Sequence, residues 1–328
     1  MTSKLKIGVI GVGHLGQHHA KHYHLMSDVN LIGVFDLNQR RANEIAKTYN
    51  SRSYSDLSKL IETCDALSIV TPTKFHAEVA KQCFAAKKHV FVEKPITKTV
   101  AEADELIELA SQVGVTLQVG HIERLNPALL PLNDIDLNPK FIEVQRLAPY
   151  TTRGTDVPVV LDLMIHDIDI ILALVQSPVK NIHATGVSIL TQSVDIANAR
   201  IRFENGTVAN ITSSRIAKNK VRKIKVFQRD MYITIDFLLG LTEVYRIIDF
   251  NHKNSKPLVS APYEQNGQQR EIVYEKPALQ QIDALHMELK NFVDSINGKA
   301  TPIVDGKAGR DALSVAIKIQ NMIIEDIH

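Results

Sequence analysis

The sequence is poor in cysteine, and it lacks both long apolar runs and an excess of charge of either sign. Its 328 residues include only Cys64 and Cys83, which are too few for a disulfide framework and lack the paired spacing of a zinc site. We therefore expect two reduced thiols. No apolar run reaches the roughly 18 residues that a transmembrane helix needs. Lysine and arginine number 38 and aspartate and glutamate number 36, a balance that argues against a polyanion binder with a uniformly basic surface.

The length and the first residues indicate what kind of protein to expect. A domain commonly takes ~100–200 residues, so this length predicts two domains. Lys4 and Lys6 precede an apolar run over residues 7–12, but no small-residue cleavage site follows that run. We interpret it as a buried strand and turn rather than a secretion signal, and we expect a cytoplasmic protein.

Residues 1–123 alternate between short apolar runs and amphipathic segments. Strands that are apolar throughout and separated by helices are typical of a parallel sheet covered on both faces. The pattern therefore predicts a doubly wound α/β domain over residues 1–123. The predicted strands are 6–11, 31–36, 66–71, 89–93 and 115–120, and the predicted helices are 15–26, 39–49, 75–86 and 100–113.

The pattern changes in residues 124–328. Prolines interrupt the chain as far as Pro158, and a strongly apolar helix is predicted over 159–175. Asn205-Gly206 between two alternating segments is the strongest short signal for a β-hairpin. The pattern of residues 124–328 therefore predicts an α+β domain with a mainly antiparallel sheet. The last helices of this domain could pack back on the first domain. The predicted strands are 181–190, 195–203, 207–214, 221–229 and 232–237, and the last helices are 278–296 and 307–324.

A glycine triplet joins the first predicted strand to the first predicted helix. Gly11, Gly13 and Gly16 form the pattern G-x-G-x-x-G, which allows a tight turn, the approach of a pyrophosphate and close packing of helix on strand. Asp36 ends the second strand about 20 residues later, where an acid binds the adenosine ribose. Strand, glycines, helix and acid together predict a dinucleotide site. The alternative is that Asp36 merely caps the helix that starts near Gln39.

The acid also favours one cofactor. A carboxylate accepts a hydrogen bond from a free 2′-hydroxyl and repels a 2′-phosphate, so NAD is favoured over NADP, with Arg40 and Arg41 near enough to soften the repulsion. His14 lies inside the glycine turn and is expected to touch the cofactor. His18 and His22 have the spacing of metal ligands on a helix, but without a third ligand we predict no metal site.

A lysine at the end of a predicted strand is the first candidate catalytic residue. Lys94 lies in the triplet Glu93-Lys94-Pro95, at the edge of an open α/β sheet where ligands bind. Its ammonium group can stabilise the alkoxide that develops when an alcohol loses hydride, or it can pass a proton. The alternative is a surface lysine before a proline that starts a helix.

The apolar helix predicted at 159–175 contains the second candidate group. Asp162, His166 and Asp169 are spaced i, i+4 and i+7 and therefore share one face of the helix. Burying such groups is costly unless they are paired or used, and a histidine can accept a hydroxyl proton near neutral pH. A structural network is the alternative for His166 and the favoured interpretation for Asp167 and Asp169.

These motifs resemble those of the Gfo/Idh/MocA family of nicotinamide-dependent sugar and cyclitol dehydrogenases. The matching features are the Gly11–Gly16 turn, the Glu93-Lys94-Pro95 triplet, the Asp162–Asp169 helix and a C-terminal stretch that starts at Glu288, and they extend over essentially the whole chain. The resemblance implies a Rossmann domain followed by an α+β domain with an open-faced sheet, whose exposed face commonly forms dimers or tetramers. It also implies a cis bond before Pro95, with Lys94 and His166 acting on a substrate hydroxyl and Asp162 at the substrate.

The expected site residues fall into three groups. The expected cofactor contacts are Gly11, Gly13, His14, Leu15, Gly16, Asp36, Arg40, Thr71, Pro72, His76, Glu93 and Lys94. The expected substrate contacts are His121, Arg124, Asn126, Arg153, Asp162 and His166. The expected catalytic residues are Lys94, His166 and Asp162.

Residues 119–128 resemble the subgroup of that family that acts on UDP-linked amino sugars, apart from Leu125, where an aromatic residue is usual. Members oxidise the sugar 3-hydroxyl to a 3-keto sugar nucleotide, which a partner aminotransferase converts to a 3-amino sugar. Residues 215–229, the basic segment, hold seven cations and no acid. With Arg153 they could bind a diphosphate, although a solvated strand is the favoured interpretation.

The sequence as a whole predicts an NAD-dependent dehydrogenase that oxidises the 3-hydroxyl of a UDP-N-acetylhexosamine as a homodimer or homotetramer. An aminotransferase is a candidate partner, and we expect neither nucleic acid nor a membrane as a partner, since the basic segment is local. One alternative is a dehydrogenase of a free sugar or an inositol-type cyclitol. Another is a non-catalytic nicotinamide-binding redox sensor, which would need neither Lys94 nor His166.

Overall fold

The computed structural model describes residues 4–151, 157–249, 257–278 and 282–327. These residues form two units, each with its own sheet. The first unit comprises the described residues of Met1–Ile122 and Asp283–Ser314, and the second comprises those of Glu123–Ile282 and Val315–His328. The first unit therefore includes residues from both the N-terminal and the C-terminal parts of the sequence.

The helices and strands of the described residues are as follows. The strands are β1 (Leu5–Ile10), β2 (Val29–Phe35), β3 (Arg52–Tyr54), β4 (Ala66–Ile69), β5 (His89–Glu93), β6 (Leu117–Gly120), β7 (Phe141–Leu147), β8 (Val179–Val187), β9 (Ile196–Phe203), β10 (Val208–Ser214), β11 (Val221–Gln228), β12 (Met231–Asp236), β13 (Leu241–Asp249), β14 (Val259–Gln265) and β15 (Gln268–Glu275). The α-helices are α1 (Gly16–Leu25), α2 (Gln39–Thr48), α3 (Leu57–Thr63), α4 (His76–Ala85), α5 (Val100–Val113), α6 (Ile165–Val175), α7 (Ala284–Ile296) and α8 (Gly306–Ile327).

The first unit is built on a parallel sheet in the order β3-β2-β1-β4-β5-β6. In sheets of this order the strand sequence reverses direction beside β1, and ligands bind at the carboxyl ends of the strands. β1, β4 and β5 are nearly continuous apolar runs because helices cover both faces of the sheet. The rings of Phe91 on β5 and Phe292 on α7 lie 5.7 Å apart in the buried core. Each fully buried ring of this kind contributes about 1.5–3 kcal/mol, which is why α7 belongs to the first unit.

The second unit contains a nine-stranded sheet in the order β14-β15-β13-β12-β11-β7-β10-β9-β8. Every neighbouring pair is antiparallel except β7 with β10. One face is apolar and buried and the other is polar, as along β9, where buried Ala199 and Ile201 alternate with exposed Asn198 and Arg200. The predicted hairpin at Asn205-Gly206 joins β9 to β10, and Gly206 has the φ of 86° that this turn requires.

The fold class predicted from the sequence is confirmed, with several differences in individual elements. The prediction missed β3, α3, β7 and β13–β15, and the helix predicted from residue 278 begins at Ala284. β8 ends at Val187 instead of residue 190, because the N–H groups of Ile189, Leu190 and Thr191 donate to the carboxylate of Asp195 rather than to a strand. None of the helices in the described ranges has the length and apolar character that a membrane crossing needs.

Candidate active site

Two close backbone contacts shape the glycine turn between β1 and α1. Gly11 has a φ of 85°, and a Cβ atom there would lie 2.7 Å from the carbonyl oxygen of Val70. A Cβ atom on Gly16 would lie 1.9 Å from the carbonyl oxygen of Gly11. A Cβ atom on Gly13, in contrast, would meet no atom within 4 Å. The fold itself therefore requires Gly11 and Gly16, whereas Gly13 leaves the backbone open to a ligand.

Asp36 directly follows β2 and connects that strand to the glycine turn. Its Oδ2 accepts a hydrogen bond from the Val12 N–H at 2.8 Å, and its Oδ1 accepts one from the Asn38 N–H at 2.8 Å. The N-cap of α2 is Asn38, whose side chain accepts from the Arg41 N–H, so the alternative role of Asp36 as the helix cap is wrong. A carboxylate has about four acceptor positions, which leaves two for ribose hydroxyls.

The two arginines of α2 lie in different places. Arg41 donates to the carbonyl oxygen of Val12 at 3.0 Å and to Oε1 of Gln17 at 2.7 Å, so it braces the glycine turn. Arg40 has a side chain that is 90% exposed and pairs with Glu44. The sequence interpretation selected Arg40 as a cofactor contact, which stays a prediction, and treated Arg41 only as its neighbour.

The start of α1 fits a pyrophosphate. In α1, which is described throughout, the first turn has no acidic residue, and the cap residue Leu15 makes no side-chain hydrogen bond to the first N–H groups. Uncapped N–H groups at a helix N-terminus bind phosphate oxygens. His14 and Leu15 are exposed beside them. Gly13, the start of α1 and the carboxylate of Asp36 would therefore hold NAD, which accepts hydride from a substrate when it is bound.

Asp36→Asn is expected to weaken NADH binding by ~10-fold and to narrow the preference for NAD over NADP. The amide removes both the charge-assisted bond to the ribose and the repulsion of a 2′-phosphate. Fluorescence titrations of NADH and NADPH measure the two dissociation constants. Asp65→Asn is the matched control, because Asp65 likewise accepts from a backbone N–H, that of Lys6, at 2.9 Å. An unchanged ratio of the two constants in Asp36→Asn would contradict the role of this carboxylate.

His76 connects the loops that follow β4 and β5. It is buried, with Nε2 at 2.8 Å from the carbonyl oxygen of Thr71 and Nδ1 at 2.9 Å from that of Pro95. Burial lowers the pKa of His76, and the two carbonyl contacts oppose that shift. The bond before Pro95 is cis, as the family resemblance implied. His76 thus positions both loops, while cofactor contacts of His76, Thr71 and the exposed Pro72 stay predictions.

Lys94 follows the carboxyl end of β5 and is half-buried. Its backbone N–H donates to Oε2 of Glu93 at 3.3 Å. The other carboxylate oxygen of Glu93 lies 3.0 Å from Nε2 of His19, and Nδ1 of His19 lies 3.0 Å from Oγ of Ser68. The sequence interpretation missed His19 and Ser68. A serine inside the apolar strand β4 was the available signal of a buried polar contact.

The helix predicted at 159–175 is irregular where the candidate catalytic residues lie. A π-helical turn covers Val160–Met164 and is followed by α6. Asp162 lies in this turn, His166 is the second residue of α6, and both are half-buried. π-helical turns occur frequently at functional sites. Asp169, predicted on the same stripe, is 1% exposed, so the predicted stripe divides into an accessible pair and a buried acid.

Arg146 holds one carboxylate of α6 in place. Its Nε and Nη2 donate to Asp167 at 2.7 and 2.8 Å, and its Nη1 donates to Glu123 at 3.1 Å. Burial raises the pKa of Asp167, and the Arg146 guanidinium opposes that shift. Removal of Arg146 alone would leave the buried carboxylate of Asp167 without its cation, whereas Glu123 would keep Arg222, and such a loss costs about 3–5 kcal/mol in buried pairs. Asp167 is therefore structural, as the sequence interpretation favoured.

Two residues that were expected to contact the substrate form hydrogen bonds with other residues of the second unit. Arg124 makes two hydrogen bonds to the carboxylate of Asp169, both at 2.7 Å. Asn126 donates to Oε2 of Glu123 at 3.2 Å and accepts from the Ala128 N–H at 3.1 Å. Contacts of Arg124 and Asn126 with a substrate stay predictions. The same holds for His121, which is buried at the end of the first unit.

Acids that are distant in the sequence neutralise much of the basic segment. Lys218 and Lys220 are exposed, whereas the other five cations lie within 4.0 Å of an acid and three of them pair at 3.2 Å or less, and this supports the interpretation as a solvated strand. Arg153, which was expected to join them, lies outside the described residues. The pairs are Arg222 with Glu123 at 3.2 Å, Lys223 with Asp236 at 3.0 Å and Lys225 with Glu143 at 3.2 Å.

The histidines of α1 make separate contacts. His18 is exposed, with its ring 5.7 Å from that of His14, whereas His22 is buried and lies 3.5 Å from Asp283. Burial lowers the pKa of His22, and Asp283 opposes that shift. Among the residues that the structure describes, no three His, Cys, Asp or Glu side chains are grouped as metal ligands.

Three features of the first unit are typical of an NAD-dependent dehydrogenase. They are the strand order of the parallel sheet, the glycine turn that fits a pyrophosphate, and the lysine at the end of β5. Residues 5–121 match the oxidoreductase family with an NAD-binding Rossmann fold, GFO_IDH_MocA, and residues 142–233 match the C-terminal domain of the same family. The chain belongs to this family. The fold class, the NAD cofactor and the enzyme class predicted from the sequence are thereby confirmed.

Three relatives illustrate the range of similar proteins. UDP-N-acetylglucosamine 3-dehydrogenase of Acidithiobacillus ferrooxidans is 37% identical over 317 residues, which are 96% of each chain. A solved structure of that enzyme has a TM-score of 0.87 with 35% identity and covers 98% of each chain. Myo-inositol 2-dehydrogenase of Thermotoga maritima is 26% identical over 94% of this chain and 93% of the relative. A probable dehydrogenase from Thermotoga maritima has a TM-score of 0.79 with 25% identity and covers 98% of this chain and 97% of that one.

Proposed function

We propose that the protein oxidises the 3-hydroxyl of a UDP-N-acetylhexosamine to a 3-keto sugar nucleotide, with NAD as the hydride acceptor. The observation that carries this proposal is the 37% identity to UDP-N-acetylglucosamine 3-dehydrogenase over 96% of both chains. The inositol dehydrogenase relative is 26% identical over a similar share, and identity of that size supports the reaction class rather than the substrate.

The proposed chemistry assigns a separate role to each of three residues. In the second unit His166 takes the proton of the substrate hydroxyl, and Asp162 binds the substrate one turn earlier. In the first unit the ammonium group of Lys94 stabilises the negative charge that develops on the oxygen. The carbon loses a hydride to NAD and the oxygen loses a proton to His166, so an alcohol becomes a ketone. The proton then passes from His166 to water.

The neutralised basic segment favours a second candidate, a dehydrogenase of a free sugar or cyclitol. A diphosphate needs cations that are free to bind it, and three cations of the segment already pair with acids of the second unit. A neutral polyol needs no such cations. Inhibition by UDP separates the two candidates, because only a nucleotide-sugar site binds UDP in competition with the substrate.

The proposal also includes self-association through the polar face of the nine-stranded sheet. Five aromatic side chains form a row across that face in strand register, with ring centroids 4.7–5.9 Å apart. An apolar row on a polar face supports contact with a second copy of the chain. The members of the row are Phe141, Phe227, Tyr232, Tyr245 and Tyr274.

We further propose that the protein is cytoplasmic and that an aminotransferase consumes the 3-keto product.

The test is NADH formation from NAD by the purified protein with UDP-N-acetylglucosamine, measured by absorbance with and without glutamate and a sugar-nucleotide aminotransferase. The coupling enzyme matters because an unfavourable oxidation equilibrium can hide turnover. Parallel reactions contain N-acetylglucosamine or myo-inositol, and each is repeated with added UDP. We expect turnover of the nucleotide sugar and its inhibition by UDP.

Turnover of myo-inositol or of the free sugar, without turnover of UDP-N-acetylglucosamine, would replace the proposed substrate with the second candidate. NADH binding without turnover of any of the three would favour the redox sensor. Each outcome leaves the family assignment intact, because that assignment rests on the matched sequence.

A further inference from the structure

A chain of four buried polar side chains crosses the first unit and ends beside Lys94. The hydroxyl of Tyr23 lies 3.3 Å from Oγ of Ser68, which lies 3.0 Å from Nδ1 of His19. Nε2 of His19 lies 3.0 Å from Oε1 of Glu93, and Oε2 of Glu93 accepts from the backbone N–H of Lys94 at 3.3 Å. Tyr23, Ser68 and His19 have no exposed surface and Glu93 is 9% exposed. Such a group of polar side chains is expensive to bury unless it has a use.

The sheet brings these residues together from three elements. His19 and Tyr23 are one helical turn apart on the buried side of α1, Ser68 lies on β4 and Glu93 ends β5. The rings of His19 and Phe91 pack edge to face with their centroids 5.4 Å apart, and this contact restricts the orientation of the His19 ring. Gly120 on β6 faces Glu93, and a Cβ atom there would lie 2.8 Å from Oε1. The fold therefore reserves space for this carboxylate.

One arrangement of protons satisfies every group in the chain. Burial raises the pKa of the Tyr23 hydroxyl, its bond to Ser68 opposes that shift, and Glu288 and Glu93 add to it. In this arrangement Tyr23 donates to Ser68, Ser68 donates to Nδ1 of His19, and Nε2 of His19 donates to Glu93. Both carboxylate oxygens then accept a hydrogen bond, one from His19 and one from the N–H of Lys94.

We propose that His19 is a positioning residue for Lys94 and that it acts through the carboxylate of Glu93. The proposal rests on the catalytic role of Lys94 in the proposed function. Buried polar atoms are held in place by their hydrogen-bond partners, and both oxygens of Glu93 have one. Without the donor on His19, one oxygen of this buried carboxylate loses its partner, and the carboxylate no longer holds the backbone of Lys94 in the same position.

Other titratable groups pack near this chain and belong in any account of its pH dependence. On α1 this is His22. At α7 they are Glu288, which acts on Tyr23, and His286 and the N-cap residue Asp283, which act on His22. None of the α7 groups lies between His19 and Glu93, which are in direct contact at 3.0 Å. Substitution of His19 therefore changes the immediate partner of Glu93.

The test compares His19→Leu with His19→Gln. The glutamine amide can place a donor where Nε2 lies, whereas leucine fills the space without one. We expect His19→Leu to lower kcat by ~10–100-fold, the usual cost of losing a residue that orients a reactive group, with little change in the NADH dissociation constant. We expect His19→Gln to recover most of that loss. Equal kcat values for the two variants, or a normal kcat in His19→Leu, would overturn the proposal.

A second readout needs no substrate, so it remains informative if the proposed function is wrong. Trace labelling of lysine amines followed by mass spectrometry reports how accessible the side chain of Lys94 is. In His19→Leu, Lys94 is expected to be labelled at least ~2-fold faster under the same conditions, because Glu93 no longer holds its backbone in one position. Exposed Lys98 is the internal control. If His19→Leu does not fold, Glu93→Gln should give the same change, and unchanged labelling of Lys94 would contradict the proposal.

Discussion

Lys94→Ala is expected to lower kcat for the sugar substrate by ~10²–10⁴-fold while NADH still binds with nearly its original affinity. The ammonium group is needed only where negative charge develops on the substrate oxygen. The residues that fit the pyrophosphate and ribose lie instead at the glycine turn and at Asp36, beside β1 and β2. Steady-state turnover and an NADH titration on the same preparation measure the two effects separately.

Lys98→Ala provides the matched control for that variant. Lys98 is exposed in the loop that follows β5, so its removal changes the net charge equally without altering the strand end. Near-normal turnover in Lys94→Ala would contradict the catalytic role proposed for Lys94. A parallel loss of NADH affinity would mean that Lys94 mainly binds the cofactor.

His166→Ala is expected to lower kcat by a similar factor of ~10²–10⁴, because the substrate hydroxyl loses its proton acceptor. His166 belongs to the second unit, so NADH binding by the first unit should persist. Imidazole added to the buffer should restore part of the turnover, since it can occupy the space that the side chain leaves. The rescue depends on the missing base and not on the fold.

His183→Ala tests whether the loss is specific to this position. His183 is exposed on β8 of the same unit, and its removal should leave turnover unchanged. Full activity of His166→Ala would refute the role of His166 as the base. A loss that imidazole cannot restore, together with a lower melting temperature, would indicate the buried structural network instead.

Ion pairs hold both buried acids of α6 in place. Asp169 pairs with Arg124, and Asp167 pairs with Arg146, so each of these two carboxylates in the helix that carries His166 has its own cation. A rigid support of this kind keeps a catalytic side chain within a fraction of an ångström of its working position. The residues of these and the adjoining ion pairs are Glu123, Arg124, Arg146, Asp167, Asp169 and Arg222.

Length and pattern explain which elements could be predicted. The strands of the parallel sheet were recognisable because they are continuous apolar runs, but β3 has only three residues and gives no such run. β7 reads as a mixed segment because Arg146 replaces an apolar residue on its buried face. An arginine there is stable only because Asp167 is opposite, and no local pattern in β7 indicates that partner.

By itself the sequence determined the glycine turn, the acid after β2, the lysine after β5 and the helix that carries Asp162 and His166. Each of these signals lies within one turn, one strand end or one helix, where spacing alone places the side chains. Only the tertiary structure decided which charged and polar side chains pair, because the partners are distant in the sequence and meet through strand register and packing. Lys225 and Glu143 are 82 positions apart and His19 and Glu93 are 74 apart, so neither contact has a local signature.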